Sequence, residues 1–233
     1  MREQKDQEQL LAYIQAYQLD SIFHEPLIPH LSLYSFDQGE LICSQGETSE
    51  YLYVLVKGKV KIYISSPEGK TLILSFKKPI EVIGDIEYVR GIDIINTVEA
   101  VSSVWMIGIH YRWLKQYGSD HAPFLQFLLD IITKKFQLKN NSMTFNIMYP
   151  VEVRLASYLL SVSSDEADSH DKDQLSISIK DAANLIGTSY RHLNRVITQF
   201  CEEGLIERHR GGSILVKDRN GLKDLAGDNI YES

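Results

Sequence analysis

The sequence is short of cysteine, of long apolar runs and of positive charge, and each shortage removes a class of protein. Cys43 and Cys201 are the only two thiols among 233 residues, and they stand far apart. Two cysteines cannot hold a thiolate iron–sulfur cluster or a four-cysteine zinc site, and they suit a reducing compartment. No apolar stretch approaches the roughly 20 residues that cross a bilayer. The best of them, "FLQFLLDIITKKF", is too short and carries Lys134 and Lys135. The opening "MREQKDQEQLL" is polar and charged, with no small-residue cleavage site behind it, which is not a signal-peptide pattern. The expected setting is therefore the cytoplasm, with no membrane partner. The formal net charge is -7. That excludes a protein coated in nucleic-acid contacts, but not one with a local basic face, because phosphate contact depends on where the charge sits.

What is present falls into segments. Hydrophobic residues make up 44% of the chain, enough for one large domain or two modest ones. Residues 8–23, "EQLLAYIQAYQLDSIF", have helical spacing at Leu10, Leu11, Ile14 and Tyr17. From about 31 to 110, short β-rich runs alternate with glycine turns. "VKIYI" puts Val60, Ile62 and Ile64 on one face and Lys61 and Tyr63 on the other, and "PEG" at 67–69 turns the chain into "TLILSF". Many short strands at this spacing predict a sandwich or barrel. A long helix follows, opened by "SDHAP" and stopped before Pro150. Phe124, Ile131, Leu138 and Phe145 recur every seven residues along it, while Leu125, Leu129, Ile132 and Phe136 lie on another face. A helix with two apolar faces can pack on its own domain with one and on a second copy with the other. The regular repeat assigns Phe124, Ile131, Leu138 and Phe145 to the dimer interface. The lone His170 in the acidic "SSDEADSHDKDQ" stretch is no metal signal, and nothing in the sequence calls for a metal or cofactor.

The stretch "KDAANLIGTSYRHLNRVITQFCEEGLIERHRGGSILV" accepts a winged helix-turn-helix. Ala183 lets a second helix cross closely, Gly187 supplies a positive φ four residues on, and Ser189 is placed to cap the next helix. Leu193, Val196, Ile197 and Phe200 form that helix's inward stripe. Tyr190, Arg191, Asn194 and Arg195 are left facing outward, as base-reading candidates. Arginine can grip guanine O6 and N7 with its planar fork, and Asn194 could pair with adenine. Ser189, His192, Arg208 and Arg210 are the phosphate candidates, the last two on a hairpin wing with a Gly-Gly turn.

Taken together, "FDQGELICSQGE" (36–47), "YLYVLVKGKVKIY" (51–63), "EGKTLILSF" (68–76), "VIGDIEYV" (82–89) and the helix-turn-helix resemble the CRP/FNR family of bacterial transcription regulators, and "SYRHL" is shared with its YeiL-type branch. The resemblance implies an α+β chain in three parts: a cyclic-nucleotide-binding-like β-roll (jelly roll) over 1–118, a dimerisation helix over 119–149, and a winged helix-turn-helix over 150–233. It also implies a homodimer on palindromic double-stranded DNA, with RNA polymerase as a partner and a small effector in the β-roll. The effector pocket carried over from the family comprises Gly84, Asp85, Ile94, Ile95, Asn140 and Asn141. Asp85 fills the place of the family's ribose-binding acid. Ile94 and Ile95 stand where an Arg-Ser pair takes the cyclic phosphate, so a phosphate there has no counter-charge and cyclic AMP is not expected. The oxygen-sensing branch needs a cysteine cluster this chain lacks, and His24 and His30 make no convincing haem ligand set.

An enzyme is not expected. There is no nucleophile–base pairing, no HxH-type metal spacing and no Walker loop, and Glu81, Asp85 and Glu87 lack evident partners for acid–base work. The alternative to a DNA-binding regulator is a ligand-binding module whose winged helix serves protein contacts.

Overall fold

The computed structural model describes residues 2–67, 71–162, 174–175, 179–209 and 213–227. The chain divides into two units, Met1–Phe136 and Gln137–Ser233. The first contains, in order, β1 (Arg2–Gln4), α1 (Gln7–Ala16), β2 (Leu31–Phe36), β3 (Leu41–Cys43), β4 (Tyr51–Lys57), β5 (Val60–Ser65), β6 (Thr71–Lys77), β7 (Glu81–Ile83), α2 (Asp85–Arg90), β8 (Thr97–Ala100), β9 (Val104–His110) and the short α3 (Tyr111–Trp113). One sheet runs β1-β2-β9-β4-β7 and the other β3-β8-β5-β6, antiparallel throughout, as a β-roll requires. Then α4 (Ala122–Met148) carries the chain into the second unit. There follow α5 (Val151–Val162), the two-residue β10 (Gln174–Leu175), α6 (Ile179–Leu185), α7 (Tyr190–Glu202), the wing strands β11 (Ile206–Arg208) and β12 (Ile214–Val216), and α8 (Arg219–Ala226).

The five-stranded sheet is buried on both faces, so its central strand β4 does not alternate polar with apolar. Leu52, Val54 and Val56 point one way, into a core shared with Leu10 and Ile14 of α1 and with Phe124 and Leu128 of α4. Tyr53 and Leu55 point the other way, into the space between the sheets with Tyr34, Phe36 and Met106. Period-two geometry divides one apolar run between two cores.

The sequence predicts one helix over residues 8–23, but α1 ends at Ala16. Gln18 adopts a left-handed conformation with φ 54°, and a 3₁₀ turn follows at Leu19–Ser21. The break lets Leu19, Phe23 and Leu27 all turn inward to full burial. The Tyr17 hydroxyl fastens the end of the helix by donating to the Val56 carbonyl at 2.9 Å.

The assignment of the α4 stripes requires a correction. Phe124 is 0% exposed, its ring against Phe23 (6.0 Å between centroids) and Tyr88 (6.1 Å), and Phe145 is 1% exposed. Ile131 packs on the core of the first unit, and Leu138 is half-buried. Phe124, Ile131 and Phe145 of the repeat are therefore turned to their own chain. The exposed apolar face is the other one, with Leu125, Leu129, Phe136 (73% exposed), Met143 and Ile147 (75% exposed). A seven-residue repeat reports a stripe, and not whether its partner is intramolecular. Among the described residues no helix is long and apolar enough to cross a membrane.

Replacing Phe124 with Ala should remove about 3–5 kcal/mol from unfolding of the first unit in urea. Self-association measured by sedimentation should be unchanged. A weakened association with unaltered unfolding would return Phe124 to an intermolecular interface.

Candidate nucleic-acid interface and effector site

The reversal between α6 and α7 is built by backbone bonds. Gly187 sits at φ 66°, a region that side chains with a Cβ rarely enter. Its N–H donates to the Asn184 carbonyl at 3.3 Å, and the Thr188 N–H to the Ala183 carbonyl at 2.9 Å. This is a Schellman ending, and it satisfies two of the carbonyls a helix terminus leaves free. Two side chains deal with the next ones. Arg154 of α5, a buried cation, donates through Nη1 to the Ile186 carbonyl and to the Gly187 carbonyl at 3.3 Å. Asn146 of α4 reaches the Leu185 carbonyl at 3.5 Å. A guanidinium at the negative end of a helix is favourably placed.

α7 then starts cleanly. The Ser189 side chain accepts the His192 N–H at 3.1 Å, and Leu193, Val196, Ile197 and Phe200 are buried against α5, α6 and the wing. Tyr190, Arg191 and Arg195 are exposed, and His192 and Asn194 are half-exposed. Among the described residues, Arg191, Arg195 and Arg208 have no carboxylate within ion-pair distance. On the wing, Glu207 pairs with Lys217 at 3.0 Å. Asn194 is bonded within the protein. Its Nδ2 donates to the Tyr190 carbonyl at 3.0 Å and its Oδ1 accepts from Arg208 Nη1 at 3.0 Å, so both ends of the amide are engaged within the protein. Arg210 and the Gly-Gly turn lie outside the described residues.

In the β-roll, Gly84 adopts φ 88° and opens α2. A Cβ there would meet the Tyr51 carbonyl oxygen at 2.5 Å and the Tyr111 hydroxyl at 2.6 Å. Asp85 is 3% exposed. Both its oxygens take hydrogen bonds of 3.0 Å from Lys135 Nζ on α4. The same ammonium donates to the Val82 carbonyl at 2.6 Å and pairs with Glu81 at 3.0 Å, and Glu81 also pairs with Lys77 at 3.2 Å. Burial pulls the Lys135 pKa down, but Asp85 and Glu81 outweigh it and hold it above the ordinary lysine value. The three acids that lack evident partners in the sequence are thus engaged, since Glu87 accepts the Ile95 N–H at 3.1 Å. Ile94 is tied by its backbone to Glu47 (2.9 Å) and Gly46 (2.8 Å), and the Ile95 side chain is exposed. Neither isoleucine offers a cation. Asn140 and Asn141 are exposed on α4.

Burial, aided by the Glu87 charge, pushes the Cys43 thiol up to about 12. His24 stacks on His121 at 3.9 Å and His30 on Trp113 at 3.7 Å. Among the described residues no three His, Cys, Asp or Glu side chains gather to hold a metal.

The sequence reading missed Lys135, Arg154 and the Asn194–Arg208 contact. Only Arg154 had a local signal, a charge beside the buried positions Val151, Leu155 and Tyr158 of α5. Replacing Lys135 with Met leaves Asp85 buried without its cation. The loss should be about 3–5 kcal/mol in urea unfolding. Adding Asp85→Asn should return much of it, and simple additivity of the two substitutions would show that the pair is not coupled.

Comparison with known proteins agrees with this geometry. Residues 33–118 match the cyclic nucleotide-binding domain and residues 153–225 the Crp-like helix-turn-helix domain. Regulatory protein YeiL of Escherichia coli O157:H7 is 27% identical over 194 residues, covering 83% of this chain and 85% of that protein. A CRP-like cAMP-activated global transcriptional regulator of Mycobacterium tuberculosis is 24% identical over 204 residues, 84% of this chain and 88% of that protein. The solved structure of a CRP/FNR-family transcriptional regulator from Thermus thermophilus superposes with a TM-score of 0.72 at 21% identity, covering 84% of this chain and 99% of that one. The β-roll and the winged helix, in that order along one chain, are the two parts such regulators are made of, and this chain belongs to the CRP/FNR family of transcription regulators.

Proposed function

We propose that the protein is a homodimeric, sequence-specific DNA-binding regulator that places α7 in the major groove of a two-fold symmetric operator. The observation that carries this is the face of α7 and the wing: three arginines without acid partners among the described residues, on a helix fixed by a capping serine and a fully buried stripe. Such a face attracts phosphate and can read base edges, and in this motif the start of the second helix meets the bases. Arg191 lies nearer that start than Arg195. The exposed face of α4 supports the dimer. Leu129, Phe136 and Met143 recur every seven residues, and Leu125 and Ile147 extend the line. An apolar stripe of this spacing is what a second identical helix buries.

The effector reading follows from the β-roll. The M. tuberculosis relative is described as activated by cAMP. Here Asp85 is already bound by Lys135, and Ile94 and Ile95 provide nothing to neutralise a phosphate. Cyclic AMP does not serve this chain, and any effector it takes carries no phosphate at that place. Calorimetry should show no micromolar binding of cyclic AMP, and a clear isotherm would overturn this reading.

Replacing Leu129 and Phe136 together with Asp should give monomers in sedimentation at micromolar concentration and abolish operator binding. Variants that stay dimeric would remove α4 from the interface. Selection on random DNA should return an inverted repeat with half-sites about 34–36 Å apart. Arg191→Ala should cost about 1–3 kcal/mol on the best site and relax one base pair per half-site. A selected motif without two-fold symmetry, or no motif at all, would defeat the proposal.

A further inference from the structure

The wing and the recognition helix are joined by one side-chain bridge, from Arg208 Nη1 to Asn194 Oδ1 at 3.0 Å, across 14 residues of sequence. Resting on the DNA-binding reading above, we infer that Arg208 is a base-reading residue, presented to a guanine by Asn194, and that Asn194 is a positioning residue.

The argument begins with what each group has left to give. The Asn194 amide is engaged at both ends, Nδ2 to the Tyr190 carbonyl of its own helix and Oδ1 to Arg208. An amide reads adenine by offering its oxygen and nitrogen together to N6 and N7, and here both are turned to the protein. The guanidinium has more to offer. Arginine carries five N–H donors in a rigid plane, and the bond to Asn194 uses one of them. The Nε–Nη2 edge keeps two parallel donors, the arrangement that matches guanine O6 and N7. No carboxylate among the described residues competes for them.

Both residues are anchored by their backbones. Arg208 ends β11 in register with Ile214, and the next residue closes the hairpin through the His209 N–H to the Ser213 carbonyl at 3.0 Å. Asn194 lies between Leu193 and Val196, which are sealed in the core. The bridge thus holds a long side chain, otherwise free in several rotamers, over the outer face of α7 that also carries Tyr190 and Arg191. Fixing those rotamers before binding lowers the entropy lost on contact. A phosphate contact gains little from such a holder, because any of several oxygens will accept a mobile arginine, whereas a bidentate base contact depends on the plane of the fork.

The test is selection on random DNA with wild type, Asn194→Ala, Arg208→Ala, the double variant and Asn194→Asp, followed by titration of each on the selected site. Arg208→Ala should erase the preference at one base pair per half-site and weaken that site about 5–150-fold, the range of one bidentate contact. Asn194→Ala should flatten the same base pair. The double variant should bind within about twofold of Arg208→Ala, because the two residues act as one unit. Asn194→Asp keeps an acceptor for Arg208 and should keep the preference at that base pair, even if its charge weakens binding to all DNA. If Arg208→Ala weakens all sequences alike and leaves the motif intact, Arg208 is a phosphate contact and the inference is wrong. The same holds if the two single losses add. The Asn194 side-chain amide signal in the free protein separates the levels. Should Arg208→Ala shift that signal while wild type selects no sequence, the bridge stands but the regulator reading fails, and base reading by Arg208 fails with it.

Discussion

The winged-helix half of this molecule depends on how the chain reverses at Ile186–Gly187. A tight reversal exposes carbonyls that a short helix cannot satisfy, and burying them unpaired would cost about 1–3 kcal/mol each. The protein meets this with a glycine in the left-handed region, two backbone bonds, and one arginine donated from α5. The solution links two functions. The residue that satisfies the turn is on the helix that follows α4, and Asn146, which supports the same turn, is on α4 itself. The helix proposed to carry dimerisation is therefore bonded directly to the turn that orients α7.

The second constraint is electrostatic. Glu81 and Asp85 are nearly fully buried, and carboxylates are tolerated there only with cations beside them. Lys135 supplies that charge from α4, and Lys77 from β6. The acid that the family resemblance would give to a ribose is thus occupied from within. Both oxygens of Asp85 are bonded to an ammonium that the Val82 carbonyl and Glu81 also hold in place. The molecule keeps the family's β-roll and answers the charges of Glu81 and Asp85 with lysines of its own.

Legibility in the sequence followed the range of the interactions. Gly187, the Ser189 cap and the stripe Leu193, Val196, Ile197, Phe200 were readable because turn, cap and stripe are set by neighbours within four residues. The β-roll was readable from its glycine-punctuated strands, although β4 gave no alternation, having a core on each side. The α4 helix was readable as a helix, and even as one with two apolar faces. Which face met its own chain was not, because Phe124 and Leu125 are equally apolar and only the position of Phe23 and Tyr88 distinguishes them.

By itself the sequence determined the order of parts, the β-roll, the long helix ended before Pro150 and the winged helix-turn-helix. Those rest on local periodicity and turn chemistry. Tertiary structure alone decided that Lys135 meets Asp85 across 50 residues, that Arg154 meets Gly187 across 33, and that Arg208 meets Asn194 across 14. Each of these is a polar side chain whose partner is chosen by burial and by the crossing of elements. Any exposed or buried acceptor of the right kind would have served equally well on paper, and only the packed cores bring one of them to within 3.3 Å.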